Sequence, residues 1–352
     1  MIVLGIETSC DETAAAVVRD GFEVRSSVVH SQIPLHAPHG GVVPEIASRS
    51  HVEKLPGVIR QAVSEAHCDW REIDAVAVTY GPGLASSLLV GLSAAKGLAL
   101  ALDRPLIGIN HIEAHIHAAF LNRDAQPPSD GAPMLALVVS GGHSCLVHMP
   151  RQQAYRIIGQ TLDDAAGEAF DKAAQLLGLG YPGGPAIDRA ARLAVPGSSE
   201  TPIFPQGRVR PGNPSLDGLQ PDLCLSFSGL KTALMYHLRQ RPVSEASDVN
   251  ALAAAYQEAI VAALAERCER ALRRERYAVL IVGGGVSLNA RLRQRLGEVA
   301  AAATVPLLLA EPRFCGDNAA MIAGVAGMDG GVRGAAAMLL DATPGLAVGS
   351  RP

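Results

Sequence analysis

Apolar residues fall in short blocks that stop at small polar or glycine-rich turns. "IVLGIE" ends at "TSCDET", "DAVAVTY" at "GPG", "LALVV" at "SGGH", and "AVLIV" at "GGG". Blocks of this length, bounded by turn signals, predict buried strands. Longer stretches between them predict helices: one running to about Glu65, an Ala/Leu-rich one through Leu102, the acidic "DDAAGEAFDKAAQLLG", and "ALAAAYQEAIVAALAERCERAL". "PLIGIN" is a further strand that delivers the chain to "HIEAHIH", and "PLLLA" leads into the loop-helix "CGDNAAMIAGVAG". The plan of strand, small polar turn and returning strand occurs twice, with Ser140 in the second copy at the place Ser9 holds in the first. The pattern predicts a duplicated α/β chain, its second half opening after the polar linker "NRDAQPPSDGAP".

Composition narrows the class. At 352 residues the chain suits two lobes of about 150 residues each. Apolar residues at 48% and charged residues at 18% exclude a disordered tail or a coiled coil. The N-terminus has no basic segment ahead of its apolar run, and no uninterrupted apolar span of membrane length is evident, so a cytoplasmic protein with no membrane association is expected. Six cysteines without a C-x-x-C pair fit reduced thiols. A net charge of −4 argues against unaided binding to a polyanion. The arginine-rich segments 267–276 and 290–297 are candidates for a local basic patch, against the default of a solvated helix face.

His111 and His115 stand four apart, which on a helix puts both imidazoles on one face within reach of a single ion. Eleven histidines occur in the chain, so an incidental pair is the competing reading. In H-E-x-x-H peptidases the base follows the first histidine, whereas here Ile112 holds that place. Glu113 is turned roughly 200° from His111, which removes the base from a peptidase reading. The glycine turns at 81–83, 140–143 and 283–285 come after strands and point to a nucleotide cleft between lobes, since such turns aim backbone N–H groups at anions.

Ten collinear blocks, among them "GIETSCDETAAAVV", "GGVVPEIASRSH", "NHIEAH", "VVSGGH", "GEAFDKAAQLLG", "YPGGPAID", "SFSGLKTA", "GGGVSLN" and "FCGDNAAMIA", closely resemble the tRNA threonylcarbamoyladenosine transferase family, formerly described as glycoproteases. The resemblance runs from Gly5 to about Ala326. It implies a two-lobed actin-like ATPase fold with a duplicated core, akin to sugar kinases and chaperone ATPases. Residues 1–112 with 318–352 would form one lobe and 113–317 the other. It implies one divalent ion shared by His111, His115 and Asp317, Fe(II) first and Zn(II) as the alternative. Asp317 also reads as a helix N-cap. Substrate contacts carry over to Val138, Val139, Ser140, Gly141, Gly142, Asp171, Gly184, Asp188 and Asn289, for which plain turn, solvated-acid and cap roles are the alternatives. Glu12 and Asp11 at the first hairpin tip are the candidate proton acceptors.

The reaction so implied moves an L-threonylcarbamoyl group from threonylcarbamoyl-AMP to the exocyclic amine of the adenosine beside the anticodon. Implied partners are the tRNA anticodon arm, an inactive paralogue as heterodimer partner, and a small P-loop ATPase. A non-catalytic nucleotide-binding scaffold and a metallopeptidase are the competing functions. Gly316 and Ala290 depart from the residues usual at those positions, and the loop 195–222 is long for the family.

Overall fold

The computed structural model of the chain describes all residues except 124–130, 196, 198–200, 210–215, 217, 244 and 351–352. Most of the expected linker and part of the 195–222 loop lie outside the described residues. Two compact units result: Met1–Pro127 with Gln152–Tyr155 and Ala310–Pro352, and Pro128–Arg151 with Arg156–Leu309. The division thus falls after the histidine helix and not at 112, because that helix is buried within the first unit.

In chain order the first unit carries β1 (Ile2–Glu7), β2 (Glu12–Arg19), β3 (Glu23–Ser31), α1 (Ile33–His36), α2 (Pro44–Glu65), β4 (Ala75–Gly81), α3 (Ala85–Leu102), β5 (Leu106–Asn110) and α4 (His111–His117). The second carries β6 (Met134–Val139), β7 (Ser144–Arg151), all but the first two residues of β8 (Ala154–Gln160), α5 (Ala166–Leu176), α6 (Gly183–Arg192), α7 (Ser228–Gln240), α8 (Ala246–Arg274), β9 (Leu280–Gly283), α9 (Ala290–Ala302) and β10 (Leu307–Leu309). The chain then returns to the first unit with α10 (Pro312–Cys315), α11 (Ala319–Gly327) and α12 (Ala335–Met338).

The expected duplication is present in the strand order. The first sheet runs β3-β2-β1-β4-β5 and the second β8-β7-β6-β9-β10, so each strand of one has its counterpart in the other. In both, a hairpin is extended by parallel strands, with β1 parallel to β4 and β6 parallel to β9. The outer strands β3 and β8 carry no apolar block in the sequence. Their "EVRSSVVHS" and "AYRIIGQ" are half-exposed edges, where polar residues are tolerated on both faces.

Alternation along β1 decides what packs where. Leu4 and Ile6 join Leu55, Ile59 and Val63 of α2 and Leu92 and Ala95 of α3 in one core. Gly5 points to the other face, where a Cβ would stand 2.3 Å from the Ala319 carbonyl oxygen and 2.9 Å from the Ala323 nitrogen. Only a glycine lets α11 lie directly on the sheet. In the second unit Leu135, Leu137 and Val139 pack with Phe170, Tyr256, Ile260 and Leu264. Among the described residues one helix, α3, is long and apolar enough by length and composition to cross a membrane, although serines and Lys96 interrupt its apolar run. Here it packs along β4 and α2 with a third of its residues buried.

Gly5→Ala is therefore expected to destabilise the fold by about 2 kcal/mol through overpacking against backbone that cannot yield. A urea titration should show a lower midpoint at unchanged slope; an unchanged midpoint would mean that α11 is free to shift.

Candidate active site

The first unit assembles the histidine pair from three directions. Asn110 ends β5 and caps α4, its Oδ1 accepting from the Ile112 N–H at 2.9 Å and the Glu113 N–H at 3.3 Å. The α4 turn then brings the His111 and His115 rings edge to face, 4.5 Å between centroids. Asp317 arrives from the loop before α11, its Oδ1 3.5 Å from His111 Nε2 and 3.2 Å from His115 Nε2. Asp317 is not the helix cap that the sequence suggested. Asn318 takes that role, its Oδ1 accepting from Met321 N–H at 3.0 Å while its amide donates to the Gly316 oxygen at 2.8 Å. Capping by the neighbour leaves Asp317 to face the imidazoles.

One atom of each of the three residues lies within 4.8 Å of the other two, the geometry of a possible metal site. The donor set fits a divalent ion: two imidazole nitrogens and a carboxylate oxygen. His115 is completely buried; its Nε2 faces the Asp317 carboxylate, and among the described residues its Nδ1 has no hydrogen-bond partner. A buried nitrogen left in that state is costly unless a ligand meets it. Glu113 stands outside this cluster, its Oε1 accepting from the Gly349 N–H at 3.0 Å.

Behind the pair lies a residue the motif reading passed over. Glu7 closes β1 with its side chain fully buried, Oε2 accepting from Thr79 Oγ1 at 2.6 Å and lying 3.2 Å from His111 Nδ1. Its Oε1 accepts from the Ser9 N–H at 2.5 Å, and Ser9 Oγ is also 3.2 Å from His111 Nδ1. A carboxylate on Nδ1 fixes the tautomer that leaves Nε2 toward Asp317 and His115. Burial by itself pushes Glu7 up, but the charge and hydrogen bond of His111 outweigh it and leave Glu7 lowered. Burial likewise opposes the charge on His111, yet the Asp317 and Glu7 carboxylates raise it to about 9. His115 is lowered by burial and by the charge of His111. The signal in the sequence was there: an acid closing an otherwise apolar buried strand.

Glu12 and Asp11 sit at the hairpin tip as expected. Burial, then the Asp317 and Asp11 carboxylates, push Glu12 up to about 10, which marks a pocket crowded with negative charge. The tip is held from beneath by His51, another residue missed. Its Nε2 donates to the Cys10 oxygen at 2.9 Å and its Nδ1 lies 2.8 Å from Thr13 Oγ1. Of the glycine turns, that at 81–83 is engaged within the first unit, Gly83 N–H donating to the Pro344 oxygen at 3.2 Å.

The other two turns are neighbours in the second unit, because β6 and β9 pair with Val138 beside Gly283. Val138 and Val139 are buried strand residues that offer only backbone to a ligand. Ser140 closes the turn, its N–H donating to the His143 oxygen at 2.8 Å and its Oγ accepting from the His143 N–H at 3.1 Å. Open space lies where Gly141, Gly142, Gly184 and Gly285 would carry a Cβ, whereas Gly284 is pressed on the Val139 backbone, 2.3 Å from its oxygen to an added Cβ. Asp171 Oδ1 accepts from the Gly183 N–H at 2.6 Å at the start of α6, and Asp188 pairs with Arg192. Asn289 caps α9 through Leu292 N–H at 3.0 Å and donates to Gln257 Oε1 at 2.7 Å.

Comparison with known proteins places this architecture. The family model TsaD, tRNA N6-adenosine threonylcarbamoyltransferase, matches residues 23–324. A protein of that name from Trichlorobacter lovleyi is 50% identical over 324 residues, covering 92% of this chain and 90% of its own length. One from Anaeromyxobacter dehalogenans is 50% identical over 333 residues, 94% of this chain and 95% of its own. Among solved structures, full-length HypF superposes with a TM-score of 0.58 at 12% identity, covering 93% of this chain and 46% of HypF. Component A of the Acidaminococcus fermentans (R)-2-hydroxyglutaryl-CoA dehydratase gives 0.53 at 12% identity, covering 94% and 98%. At that identity the likeness is one of fold, the actin-like ATPase fold.

Replacing Glu7 by Gln keeps the shape but removes the charge on His111 Nδ1. The His111 titration in metal-free protein, followed by NMR, is expected to fall from about 9 toward the ordinary histidine range. An unmoved titration would show that Asp317 alone sustains it.

Proposed function

The chain belongs to the tRNA N6-adenosine threonylcarbamoyltransferase family, and on that premise we propose that His111, His115 and Asp317 hold one divalent cation at its catalytic centre. The enzyme transfers the threonylcarbamoyl group from threonylcarbamoyl-AMP to the exocyclic amine of adenosine 37 in tRNAs that read codons beginning with adenine. The observation that carries the cation assignment is the convergence of two imidazoles and a carboxylate, one ligand atom of each within 4.8 Å of the others, around the fully buried His115. Fe(II) is proposed from the family, with Zn(II) equally suited to the donors.

When bound, the cation supplies Lewis-acid polarisation of the threonylcarbamoyl carbonyl. The remaining work falls to the chain's own groups. The amine nitrogen bonds to the carbamoyl carbon, the bond from that carbon to the AMP phosphate oxygen breaks, and one amine proton passes to a base. Glu12 or Asp11 is the proposed base. Glu12 can serve once a bound cation offsets the Asp317 charge, which after burial is the main cause holding it protonated in the metal-free chain. The backbone N–H groups at Gly141 and Gly142 would meet the departing phosphate, with Ser140 holding the turn in shape through its bonds to His143, the open space beside both glycines supporting close approach. Val138 and Val139 would contribute backbone, Asp171 and Asp188 the contacts to ribose hydroxyls, and Gly184 and Asn289 the adenine surroundings. Asp171, Asp188 and Asn289 already have protein partners, so these contacts would use their remaining capacity. The scaffold and peptidase alternatives give way to the family assignment, and Glu113 is committed elsewhere.

His111→Ala, His115→Ala and Asp317→Asn are expected to lose the bound metal and about a hundredfold of transfer rate. His115→Ala and Asp317→Asn should remain folded, whereas His111→Ala should have a lowered stability, since it leaves buried Glu7 without its opposite charge. Metal content after purification, together with transfer from synthetic threonylcarbamoyl-AMP to tRNA, decides this. Full metal occupancy in all three variants would remove the site.

The tRNA anticodon arm is the polyanionic partner, and this chain is poorly charged for it. Within 267–276, Arg270 pairs with Glu266 and Arg273 with Glu269; within 290–297, Arg291 pairs with Glu258 and Arg295 with Glu298. An inactive paralogue is the proposed heterodimer partner. A small P-loop ATPase completes the proposed assembly, and a cytoplasmic location accords with the tRNA substrate. The isolated chain should bind tRNA weakly and the assembly markedly more tightly. Each phosphate neutralised on a duplex contributes about −0.9 to the slope of log affinity against log salt, so salt titrations count the contacts. Equal affinity and slope with and without partners would place the whole tRNA surface on this chain.

A further inference from the structure

The family model matches the chain as far as residue 324, and no sequence pattern singles out the C-terminal residues beyond it. In the structure the segment from Leu340 to Gly349 is tied down at successive points along the first unit. Lys96 Nζ donates to the Leu340 oxygen at 2.6 Å, Thr343 N–H to the Tyr80 oxygen at 2.8 Å, and Gly83 N–H to the Pro344 oxygen at 3.2 Å. Asn110 Nδ2 donates to the Ala347 oxygen at 3.1 Å, and Gly349 N–H to Glu113 Oε1 at 3.0 Å. Glycines admit the segment: a Cβ on Gly81 would stand 2.1 Å from the Thr343 oxygen, and one on Gly349 would stand 2.6 Å from the Tyr155 oxygen.

We propose that Leu340–Gly349 is a strap that sets the pose of α4, and that Glu113, the central acid of "HIEAH", is the positioning residue through which it acts. The helix has seven residues, far too few to hold its shape alone, and all of them are buried. Its direction is therefore set by its anchors. Asn110 is one: the same side chain that caps Ile112 and Glu113 is fixed in rotation by the Ala347 oxygen. Glu113 is a second, on the side of the helix away from the anchor that His111 finds at Glu7, with His117 held at the Gly21 oxygen. Holding Glu113 on that side helps to fix the rotation that aims both imidazoles. Its carboxylate has no exposed surface and needs donors from the protein, one of which the strap provides. A pair of ligands misplaced by even 1 Å no longer shares an ion well, so the strap matters to binding beyond its share of stability.

For its metal readout the inference rests on the cation site proposed above; for its structural readout it does not. The test uses the metal-free full chain, with Zn2+ as probe in a chelator competition and hydrogen exchange followed over residues 106–118. Gly349→Pro removes the donor and cannot adopt the positive φ of 80° found there. It is expected to speed exchange in that peptide and weaken Zn2+ binding at least tenfold, with unchanged circular dichroism. Glu113→Ala should behave alike, whereas Glu113→Gln, whose amide oxygen still accepts, should stay within about threefold of wild type. Deletion of 340–352 should be the most severe; if it fails to fold, the point variants carry the test. Wild-type exchange and Zn2+ affinity in Gly349→Pro and Glu113→Ala, or a lower melting temperature alone, would overturn the proposal. Absence of Zn2+ binding by the wild type would instead sink the cation assignment, leaving hydrogen exchange to decide the strap.

Discussion

A carboxylate sealed from water has to be met by donors or give up its charge, and Glu7 at the end of β1 is sealed completely. That requirement organises the first unit. Thr79 on β4 and the Ser9 backbone satisfy part of it, and His111 supplies the opposite charge. To bring His111 there, β5 must end at Asn110 and turn at once into a helix packed under the sheet ends. The same helix then places His117 where its Nε2 donates to the Gly21 oxygen at 3.0 Å, a buried imidazole pushed down to about 4 by desolvation. Gly324 is small for this reason: an added Cβ would stand 2.6 Å from the His117 ring. Pairing at one buried acid thus propagates into glycines on β1 and α11, because helix and sheet must close around it.

The second unit repeats the strand order but not this chemistry. Where β1 ends in Glu7, β6 ends in Val138 and Val139, and the acidic turn before β2 is replaced by the tighter Ser140–His143. With no buried acid beside it among the described residues, the second turn has no counterpart to the His111–Glu7 pair, and open space at Gly141 and Gly142 leaves room beside the backbone. Gly167 shows how closely the neighbouring helix start approaches that turn, an added Cβ lying 2.7 Å from the Ser140 oxygen. One duplicated scaffold therefore presents two kinds of polar end. One gathers negative charge suited to a cation, and the other exposes backbone N–H groups suited to an anion.

Legibility in the sequence depends on how each feature is encoded. Buried strands show as apolar blocks, so β1, β4, β5, β6 and β9 were legible, and the repeat with them. The edge strands β3 and β8 were not, since half-exposed strands need no apolar run. The pair His111 and His115 was visible through its spacing, but Asp317 lies some two hundred positions away and entered only through the family resemblance. Its reading as a cap failed because Asn318, one residue on, competes for the same role and has the better geometry. Glu113 was correctly turned away from the pair by helical geometry alone, yet its partner Gly349 was beyond reach, because a lone backbone N–H in a coil segment leaves no pattern.

The arginines of α8 show why charge runs mislead in the same way. Across its 29 residues, Glu266 with Arg270 and Glu269 with Arg273 stand in the i, i+4 order that favours a helix, acid preceding base. Arg267 is not on the surface at all. It is 1% exposed, and its guanidinium donates to the Gly207 oxygen at 2.8 Å, the Gln206 oxygen at 3.2 Å and the Cys224 oxygen at 3.4 Å. Irregular backbone buried against a helix needs donors for its carbonyl groups, and a planar guanidinium with several N–H groups meets more of them than any other side chain. An arginine run broken by acids at helical spacing thus encodes helix and loop packing, whereas a polyanion surface needs cations left without such partners.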